Sequence, residues 1–287
     1  MAQTLGIDVG GTNTKLALVD STGRALRTAL VPTIGGAERF NDALTQTAIT
    51  LIGSDAVPSA GLAIAGLIDD ARTLMTFNPN IPWLEGYPLR AALSSSLRMP
   101  VALDTDSNAA ALGEYTHGAG QGARRLLCLT IGTGVGGAFL IGGSPCRLAH
   151  QGIGDPGHVI VAPGGVRCSA GCSGCVEAMI SAPALEARAG VPWRQILSDP
   201  VHRSVIEEAG RYLGLACASL AALLFPGRVV IAGGVAEAGD ALLTPALRTF
   251  FAHSGAFYRE GTELRIAELG SQAGVIGAAV FAREIIP

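Results

Sequence analysis

The sequence has a single lysine, few aromatic residues and little charge. Lys15 is the only lysine, charged residues make up 15% of the 287 residues, and the formal net charge is −3. Aromatic residues account for 5% and hydrophobic residues for 49%. Proteins that bind nucleic acid or anionic membranes usually carry a basic surface, which this composition does not provide. We therefore expect a compact protein whose partners are small molecules, with no nucleic acid and no membrane among them.

Long apolar runs and a secretory leader are also missing. The longest apolar stretch, LGLACASLAALLF, ends at Pro226-Gly227 and is shorter than the roughly 18 apolar residues of a membrane helix. No signal peptide is predicted either, and we expect a cytoplasmic protein. Three of the six cysteines lie within residues 168–175. In the cytoplasm such clustering favours a metal site over disulfides.

Glycine-rich turns between apolar strands are the main feature that is present. LGIDVGGTNTKLALVD, residues 5–20, and LLCLTIGTGVGGAFLIGG, residues 126–143, both predict a strand, a glycine–hydroxyl turn and a strand. Either turn alone could be a plain β-hairpin. Because glycine lets a ligand approach backbone N–H groups, two such turns facing a cleft would clamp a phosphate chain. A third unit, RVVIAGGVAEAGD from Arg228, could hold the rest of a nucleotide.

Strand and helix patterns alternate between these units. SAGLAIAGLID and MPVALDTD predict strands, whereas SNAAALGEYTHG and RSVIEEAGRYLGLACASLAALLF predict helices. This alternation predicts an α/β fold with a mixed or parallel sheet. The stretch TFNPNIPWLEGYPLR is rich in proline and asparagine and predicts a surface loop.

Seven segments, taken together and in order, resemble the ROK family of sugar kinases. They are DVGGTNTK, DTDSNAAALGE, IGTGVGG, GDPGHVIV, CSAGCSGCVEA, VVIAGG and AGVIGAA, and they span essentially the whole chain. The resemblance implies an α/β, two-lobed actin-like (ribonuclease H-like) ATPase fold with a central cleft. We expect an N-terminal lobe of residues 1–115 with a C-terminal helix at about 274–287, and a C-terminal lobe of residues 116–273.

The resemblance places ATP and Mg²⁺ at the glycine turns. The matching positions are Asp8, Gly10, Gly11, Thr12 and Lys15 in the first turn, Gly132, Thr133 and Gly134 in the second, and Gly233 and Gly234 on the adenosine side. The first turn is not a Walker A loop, since no glycine precedes the lysine and no strand-to-helix pattern follows. Asp8 would act through magnesium or water, because a bare carboxylate repels phosphates. Polyphosphate remains open as an alternative donor.

Asp106 matches the catalytic aspartate of the family. A carboxylate within hydrogen-bond reach of a sugar hydroxyl is the simplest general base for phosphoryl transfer. Two alternatives stay open at this point. Asp106 could merely cap a helix, and Asp104, two residues earlier on the same strand face, is a competing acid that the motif and Asn108 disfavour.

The acceptor residues implied by the family include two departures from its pattern. The positions are Gly66, Asn80, Thr105, Asp155, His158 and Glu177. Thr105 stands where the family usually has asparagine, and Asp155 stands where it has glutamate in Gly-Glu-x-Gly-His. Threonine offers fewer hydrogen-bonding groups than asparagine, and aspartate reaches less far than glutamate. These departures favour an acceptor that differs from glucose in its ring hydroxyls or lacks the ring oxygen.

A zinc site is predicted from His158, Cys168, Cys172 and Cys175. Three thiolates and one imidazole form a Cys₃His set that is typical of structural zinc. ROK zinc sites usually read C-x-C-G-x₂-G-C, so Ala170 replaces a ligand here and Cys172 lies two places later. The alternative is three small buried thiols beside a sugar-binding histidine. A structural zinc ion would hold Glu177 and Asp155 in position.

The predicted function is therefore transfer of the γ-phosphoryl group of ATP to a hydroxyl of a hexose-like sugar. By resemblance the acceptor hydroxyl is a primary hydroxymethyl, Asp106 is the base and the protein is a homodimer. A cyclitol of the C7, valiolone-like type or an N-acylated amino sugar remains an alternative acceptor. A sugar sensor without catalysis is a further alternative, which an intact Asp106 disfavours.

Overall fold

The computed structural model describes residues 3–78, 80–148 and 150–284, which divide into two compact units. Unit 1 takes the described residues of Met1–Gly118, Pro145–Gly154 and Gln272–Pro287, and unit 2 takes those of Ala119–Ser144 and Asp155–Ser271. Both units combine strands with helices. The α/β fold class predicted from the alternating patterns is confirmed.

The strands and helices follow in chain order. The strands are β1 (Thr4–Val9), β2 (Asn13–Val19), β3 (Ala25–Pro32), β4 (Ala60–Ile64), β5 (Leu67–Ile68), β6 (Met75–Phe77), β7 (Val101–Thr105), β8 (Arg125–Ile131), β9 (Val135–Ile141), β10 (Ser144–Pro145), β11 (Arg228–Ala232) and β12 (Glu263–Ile266). The helices are α1 (Ala37–Ile52), α2 (Leu89–Leu97), α3 (Asp106–His117), α4 (Val176–Ile180), α5 (Ala182–Ala189), α6 (Trp193–Ser198), α7 (Arg203–Leu224), α8 (Asp240–His253), α9 (Ala256–Gly261) and α10 (Ala273–Arg283).

The two large sheets follow the same strand order. The first runs β3-β2-β1-β4-β7 and the second β10-β9-β8-β11-β12. Each contains an antiparallel hairpin, β1–β2 or β8–β9, whose first strand pairs in parallel with the next strand of the sheet. The two glycine–hydroxyl hairpins predicted from the sequence are therefore confirmed. Each hairpin turn lies at the same topological place in its sheet.

Alternation along β1 decides which side chains reach the core of unit 1 and which face α10. Leu5, Ile7 and Val9 are fully buried and join a core cluster that includes Phe40 of α1. Successive strand residues point to opposite faces, and Asp8 accordingly faces α10. A Cβ on Gly274 would lie 2.5 Å from a carboxylate oxygen of Asp8.

Strand β7 passes directly into α3, and this junction positions the predicted base. Thr105 ends the strand and Asp106 begins the helix. A Cβ on Gly277 of α10 would collide with the backbone of Ala109, so the glycine lets α3 and α10 pack in direct backbone contact. The helix predicted from SNAAALGEYTHG is confirmed.

In unit 2 the long helix predicted from RSVIEEAGRYLGLACASLAALLF is confirmed as α7, with 22 residues. Helix α8 packs closely on α7 at Gly210, where a Cβ would lie 2.5 Å from the carbonyl oxygen of Leu242. No described helix combines the length and the hydropathy that a bilayer crossing requires.

The prediction of a surface loop from TFNPNIPWLEGYPLR is only partly correct. Ile81 and Leu84 within it are fully buried and belong to the core cluster of unit 1, whereas Pro82 and Glu85 are exposed. Proline stops regular structure but does not keep apolar neighbours out of a core.

Candidate active site

The turn between β1 and β2 carries the first predicted phosphate loop. The N–H of Gly10 donates to the carbonyl oxygen of Asn13 at 3.2 Å, and Gly11 and Thr12 are exposed. A Cβ on Gly11 would lie 3.2 Å from the Cβ of Asn80. The first phosphate loop and the predicted acceptor residue Asn80 are therefore neighbours within unit 1.

Asp8 and Lys15 lie opposite each other on β1 and β2. The pKa of Asp8 is raised to about 6, chiefly because burial removes its carboxyl group from water and also because of the negative charge of Asp106, while Lys15 opposes the shift. Two carboxylates that repel each other are stabilised when a cation binds beside them. Asp8 and Asp106 therefore form a suitable place for a divalent cation.

Asp106 is the first residue of α3, and its carboxylate accepts hydrogen bonds from Ser107. The donors are the backbone N–H at 2.7 Å and the hydroxyl at 3.3 Å. Burial raises the pKa of Asp106, while the hydrogen bonds from Ser107 oppose that shift. A raised pKa brings a carboxylate closer to the optimum for proton transfer near neutral pH. The group fits the chemistry of a general base.

The N-cap of α3 is Thr105. Its hydroxyl accepts a hydrogen bond from the N–H of Asn108 at 3.2 Å, the usual way in which a threonine satisfies the first turn of a helix. The N-cap of α3 is therefore Thr105 and not Asp106. The acceptor contact expected of Thr105 stays a prediction, and its hydroxyl already has a structural task.

Asp104, the competing acid, is a structural carboxylate. Its residue is 2% exposed, and Arg147 donates to both of its oxygens, one at 3.0 Å. The side-chain amide of Asn108 donates at 2.7 Å, and Arg72 lies 3.6 Å away. Both oxygens of this carboxylate are occupied by donors, which leaves little room for an acceptor hydroxyl. Asp106 is therefore the better candidate for the base.

Asn78 orders the segment that carries Asn80, and sequence reasoning missed it. Asn78 is 2% exposed; its amide donates to the carbonyl oxygen of Ala65 at 2.8 Å, and its carbonyl accepts from the N–H of Asn80 at 2.8 Å. Gly66 has a φ of +105°, and a Cβ there would collide with Phe77. The available signal was the Asn-Pro-Asn sequence, since asparagine often bonds the backbone two residues on.

The turn between β8 and β9 carries the second predicted phosphate loop. The N–H of Gly132 donates to the carbonyl oxygen of Gly134 at 2.8 Å, and Thr133 is exposed. The N–H of Val135 donates to Oε2 of Glu177 at 3.0 Å. The second phosphate loop is thus hydrogen-bonded to the predicted acceptor residue Glu177 within unit 2.

Asp155 and His158 lie in a short turn that packs on β9. A Cβ on Gly157 would collide with the carbonyl oxygen of Val135, so the turn follows the strand backbone closely. Nε2 of His158 lies 3.3 Å from a carboxylate oxygen of Asp155, and its Nδ1 lies 3.8 Å from Sγ of Cys168. The two ring nitrogens of His158 therefore face different partners, Nδ1 the thiol of Cys168 and Nε2 the carboxylate of Asp155, and the acceptor contact expected of His158 stays a prediction.

The predicted Cys₃His set forms one cluster. The ligand atoms of His158, Cys168, Cys172 and Cys175 all lie within 4.8 Å of one another. Cys168 and Cys172 are joined by a backbone hydrogen bond at 2.9 Å, and the Sγ of Cys175 accepts from the N–H of Ala178. Four soft or imidazole donors converging on one point fit the tetrahedral preference of zinc. The shifted spacing of Cys172 does not prevent the cluster from assembling.

The predicted adenosine loop packs directly on the end of β8. Gly233 has a φ of +88°, and a Cβ there would collide with the backbone of Ile131. The indole N–H of Trp193, a residue that is 8% exposed, donates to the carbonyl oxygen of Gly234 at 3.1 Å. Sequence reasoning did not single out Trp193. The only signal was its rarity, since the chain has two tryptophans.

The predicted site residues thus form two groups, one in each unit. Unit 1 holds Asp8, Gly10, Gly11, Thr12, Lys15, Gly66, Asn80, Thr105 and Asp106, and unit 2 holds Gly132, Thr133, Gly134, Asp155, His158, Cys168, Cys172, Cys175, Glu177, Gly233 and Gly234. Each group combines a glycine–hydroxyl turn with acidic or amide side chains. That combination fits phosphoryl transfer, in which backbone and hydroxyl donors bind phosphate and a carboxylate accepts a proton.

Comparison with known proteins agrees with this class. The chain is 36% identical to a glucokinase from Halalkalibacterium halodurans over 95% of its own length and 92% of that protein. A crystal structure of a ROK family glucokinase from Streptomyces griseus in complex with glucose and AMPPNP superposes with a TM-score of 0.87 at 33% identity, covering 99% of this chain and 100% of that one. A kanosamine kinase from Amycolatopsis mediterranei is 32% identical over 97% of this chain and 95% of the relative.

The fold is accordingly the actin-like α/β fold shared with the glucokinase structure from Streptomyces griseus. The ROK family model matches residues 4–285, and the chain belongs to the ROK family. The enzyme class that follows is an ATP-dependent carbohydrate kinase.

Proposed function

We propose that this kinase transfers the γ-phosphoryl group of ATP to the primary hydroxymethyl group of a hexose, with glucose as the first candidate. The observation that carries the proposal is Asp106, a carboxylate with a raised pKa at the head of α3. The similarity to the glucokinases from Halalkalibacterium halodurans and Streptomyces griseus supports glucose as acceptor and ATP as donor.

Asp106 acts as the general base. Its carboxylate takes the proton of the acceptor hydroxyl while the hydroxyl oxygen attacks the γ-phosphorus and ADP leaves. The hydrogen bonds from Ser107 hold one carboxylate oxygen, which orients the carboxylate while the other oxygen receives the proton. Such fixed orientation contributes to catalysis because the reacting groups need not be ordered at the moment of transfer.

Each of the two glycine–hydroxyl turns offers donors to phosphate oxygens. In unit 1 the exposed Gly11 and Thr12 offer a peptide N–H and a hydroxyl, and Lys15 supplies a positive charge beside Asp8. In unit 2 the exposed Thr133 offers a hydroxyl, while the N–H of Gly132 is already donated to Gly134 and shapes the turn. Asp8 would hold Mg²⁺, directly or through water, and the ion would neutralise charge on the phosphates. Gly233 and Gly234 contact the adenosine.

Unit 1 offers the acceptor Gly66, Asn80 and Thr105, and unit 2 offers it Asp155, His158 and Glu177. Asn80 lies against the first phosphate loop and offers both a donor and an acceptor of hydrogen bonds. The carboxylates of Asp155 and Glu177 accept from sugar hydroxyls, which charge-assisted hydrogen bonds recognise well.

The Cys₃His cluster would hold a structural zinc ion through Cys168, Cys172, Cys175 and Nδ1 of His158. The ion would supply cross-links between the segments and no reaction step. Nε2 of His158 faces Asp155, and a carboxylate on the distal nitrogen of a metal-bound histidine fixes the orientation of both groups. The metal would thereby position Asp155 and, two residues beyond Cys175, Glu177.

An amino sugar or a cyclitol is the second candidate acceptor. The hydroxyl of Thr105 is engaged as the helix cap, so this position does not present the donor pair and carbonyl of the family's asparagine. The kanosamine kinase of Amycolatopsis mediterranei, at 32% identity, supports this alternative. A variant, Thr105→Asn, keeps a good capping residue and should shift the preference toward glucose.

A coupled assay of ADP release tests the proposal. The acceptors are glucose, kanosamine, an N-acylated hexosamine and a C7 cyclitol, each supplied with ATP, and sugar phosphate is also measured with polyphosphate as donor. Asp106→Asn should lower kcat by about 10² to 10⁴-fold while AMPPNP still binds. Equal transfer by the wild type and Asp106→Asn would contradict Asp106 as the general base. No transfer to any acceptor would contradict the proposal as a whole and favour a sugar sensor. The homodimer and the cytoplasmic location stay predictions, and light scattering after gel filtration tests the first.

A further inference from the structure

Glu177 is attached to the phosphate loop of unit 2 by its own carboxylate. Oε2 accepts the N–H of Val135 at 3.0 Å, and Val135 directly follows Gly134. A Cβ on Gly134 would lie 2.7 Å from the same oxygen, closer than real Cβ atoms approach. A larger residue at the end of the loop would therefore have to displace the carboxylate of Glu177 from its place beside Gly134.

The segment that carries Glu177 holds both ends of this loop. At the other end the N–H of Ala182 donates to the carbonyl oxygen of Gly132 at 2.8 Å. Cys175 caps α4 through its sulfur, which fixes the short helix on which Glu177 lies. A displacement of Glu177 is therefore passed on to the loop through a hydrogen bond and a van der Waals contact.

The hydrogen bond to Val135 also limits what Glu177 offers to an acceptor. A carboxylate has two oxygens, and Oε2 is already occupied by a backbone donor. Oε1 remains as the oxygen that would accept a sugar hydroxyl. Binding of that hydroxyl restricts rotation of the carboxylate, which in turn restricts the N–H of Val135 and the loop before it.

We propose that Glu177 is a positioning residue that couples the acceptor to the phosphate loop Gly132–Gly134. One carboxylate oxygen binds the acceptor hydroxyl and the other orders the loop, so that a bound acceptor strengthens nucleotide binding. This inference rests on the proposed function. Because coupling between two ligands is reciprocal, the nucleotide strengthens acceptor binding by the same factor, which we expect to be about tenfold.

Calorimetric titration of AMPPNP with and without glucose measures the coupling factor directly. Kanosamine replaces glucose if the acceptor assay selects it. The wild type should bind AMPPNP about tenfold more tightly when the acceptor is present. Glu177→Ala should bring the factor to about one, whereas Glu177→Gln, whose amide oxygen still accepts from Val135, should restore part of it. A merely structural role would not produce this partial rescue.

Two glycine variants of the same loop form a matched pair. The methyl group of Gly134→Ala pushes the carboxylate aside, and this variant should lose the coupling and raise the KM for the acceptor about tenfold. A Cβ on Gly132 meets nothing within 4 Å, so Gly132→Ala changes nucleotide affinity alone and keeps the coupling factor. Neither glycine has a positive φ, so both alanines fit the backbone.

The inference is overturned if the wild type shows no coupling, if Glu177→Ala keeps the wild-type factor, or if the two glycine variants behave alike. These results leave the proposed function intact, because each is measured on a protein that still phosphorylates sugar. If the wild type phosphorylates no sugar, the proposed function itself fails. Should Glu177→Ala not fold, the glycine pair and Glu177→Gln still decide the question.

Discussion

Arg147 forms an ion pair with both carboxylate oxygens of Asp104 inside unit 1. Asp104 lies two residues before the proposed base, Asp106. The Asp104 side chain is 3% exposed and that of Arg147 is 25% exposed. The carbonyl of Gln151 accepts from the amide of Asn108 at 2.8 Å. The segment Pro145–Gly154 is therefore fastened to the strand and helix that present Asp106.

Removing Arg147 should destabilise the protein markedly. Arg147→Ala leaves the carboxylate of Asp104 buried with fewer cationic partners, and breaking a buried pair in this way costs about 3 kcal/mol. Urea denaturation measures the change. Arg203→Ala is the control, because its pair with Glu207 is 67% and 45% exposed and should contribute about 0.5 kcal/mol. Equal losses in the two variants would contradict a structural role for the buried pair.

The sequence predicted the features that local pattern and motif spacing determine. Apolar strands on both sides of Gly10-Gly11 and Gly132–Gly134 predicted both hairpins, and the apolar run from Arg203 predicted α7. The cysteine spacing predicted a cluster, because ligands within a few residues of one another are brought together by a short loop.

The partners of the site residues depend on tertiary structure and were not predictable. Arg147 lies 43 residues from Asp104 and Glu177 lies 42 residues from Val135, so no local pattern joins either pair. Thr105 was predicted as a substrate contact because the motif places it there, while its capping bond depends on where α3 begins. The capping role of Thr105 therefore depends on α3 beginning at Asp106, and a sequence pattern does not locate a helix end to one residue.

Asp8 should weaken the fold of the ligand-free protein at neutral pH. Its folded-state pKa of about 6 lies above the ordinary 3.8, so the folded protein binds more protons between these values and its stability falls as pH rises. Asp8→Asn should therefore raise the free energy of unfolding by up to about 3 kcal/mol at pH 7.5 and by nothing near pH 3. Phosphoryl transfer should fall at the same time.

Asp20→Asn is the control with the opposite sign. The hydrogen bond from Thr22 lowers the pKa of Asp20, so its charged form stabilises the fold, and this contribution is lost as pH falls. Asp20→Asn should thus be less stable than the wild type at pH 7.5 and equal to it in acid. Urea denaturation at both pH values measures the four differences. If Asp8→Asn were less stable than the wild type at pH 7.5, the raised pKa of Asp8 would be contradicted.

Loss of the proposed zinc ion should affect the acceptor more than the nucleotide. Cys172→Ser removes one donor of the cluster, and we expect less than one bound zinc ion per chain. Because Asp155 and Glu177 would then lose the support of the metal site, the KM for the acceptor should rise about 10-fold or more. The KM for ATP should change less. Cys146→Ser, a cysteine outside the cluster, should keep its zinc. Metal-free protein with unchanged kcat/KM for the acceptor would show that the cluster needs no metal.

Trp193 should support the nucleotide and leave the acceptor unaffected. Its indole N–H holds the carbonyl oxygen of Gly234, and Trp193→Phe removes that hydrogen bond at a cost of about 1 kcal/mol, which is roughly a fivefold rise in the KM for ATP. Trp83→Phe is the control, because Trp83 packs edge-on against Phe40 in unit 1, and the KM for ATP should stay near the wild-type value. The same variant leaves Trp193 as the one tryptophan of the chain, so its fluorescence should change when AMPPNP binds. A silent signal, together with an unchanged KM in Trp193→Phe, would mean that the Gly233-Gly234 loop does not contact the nucleotide.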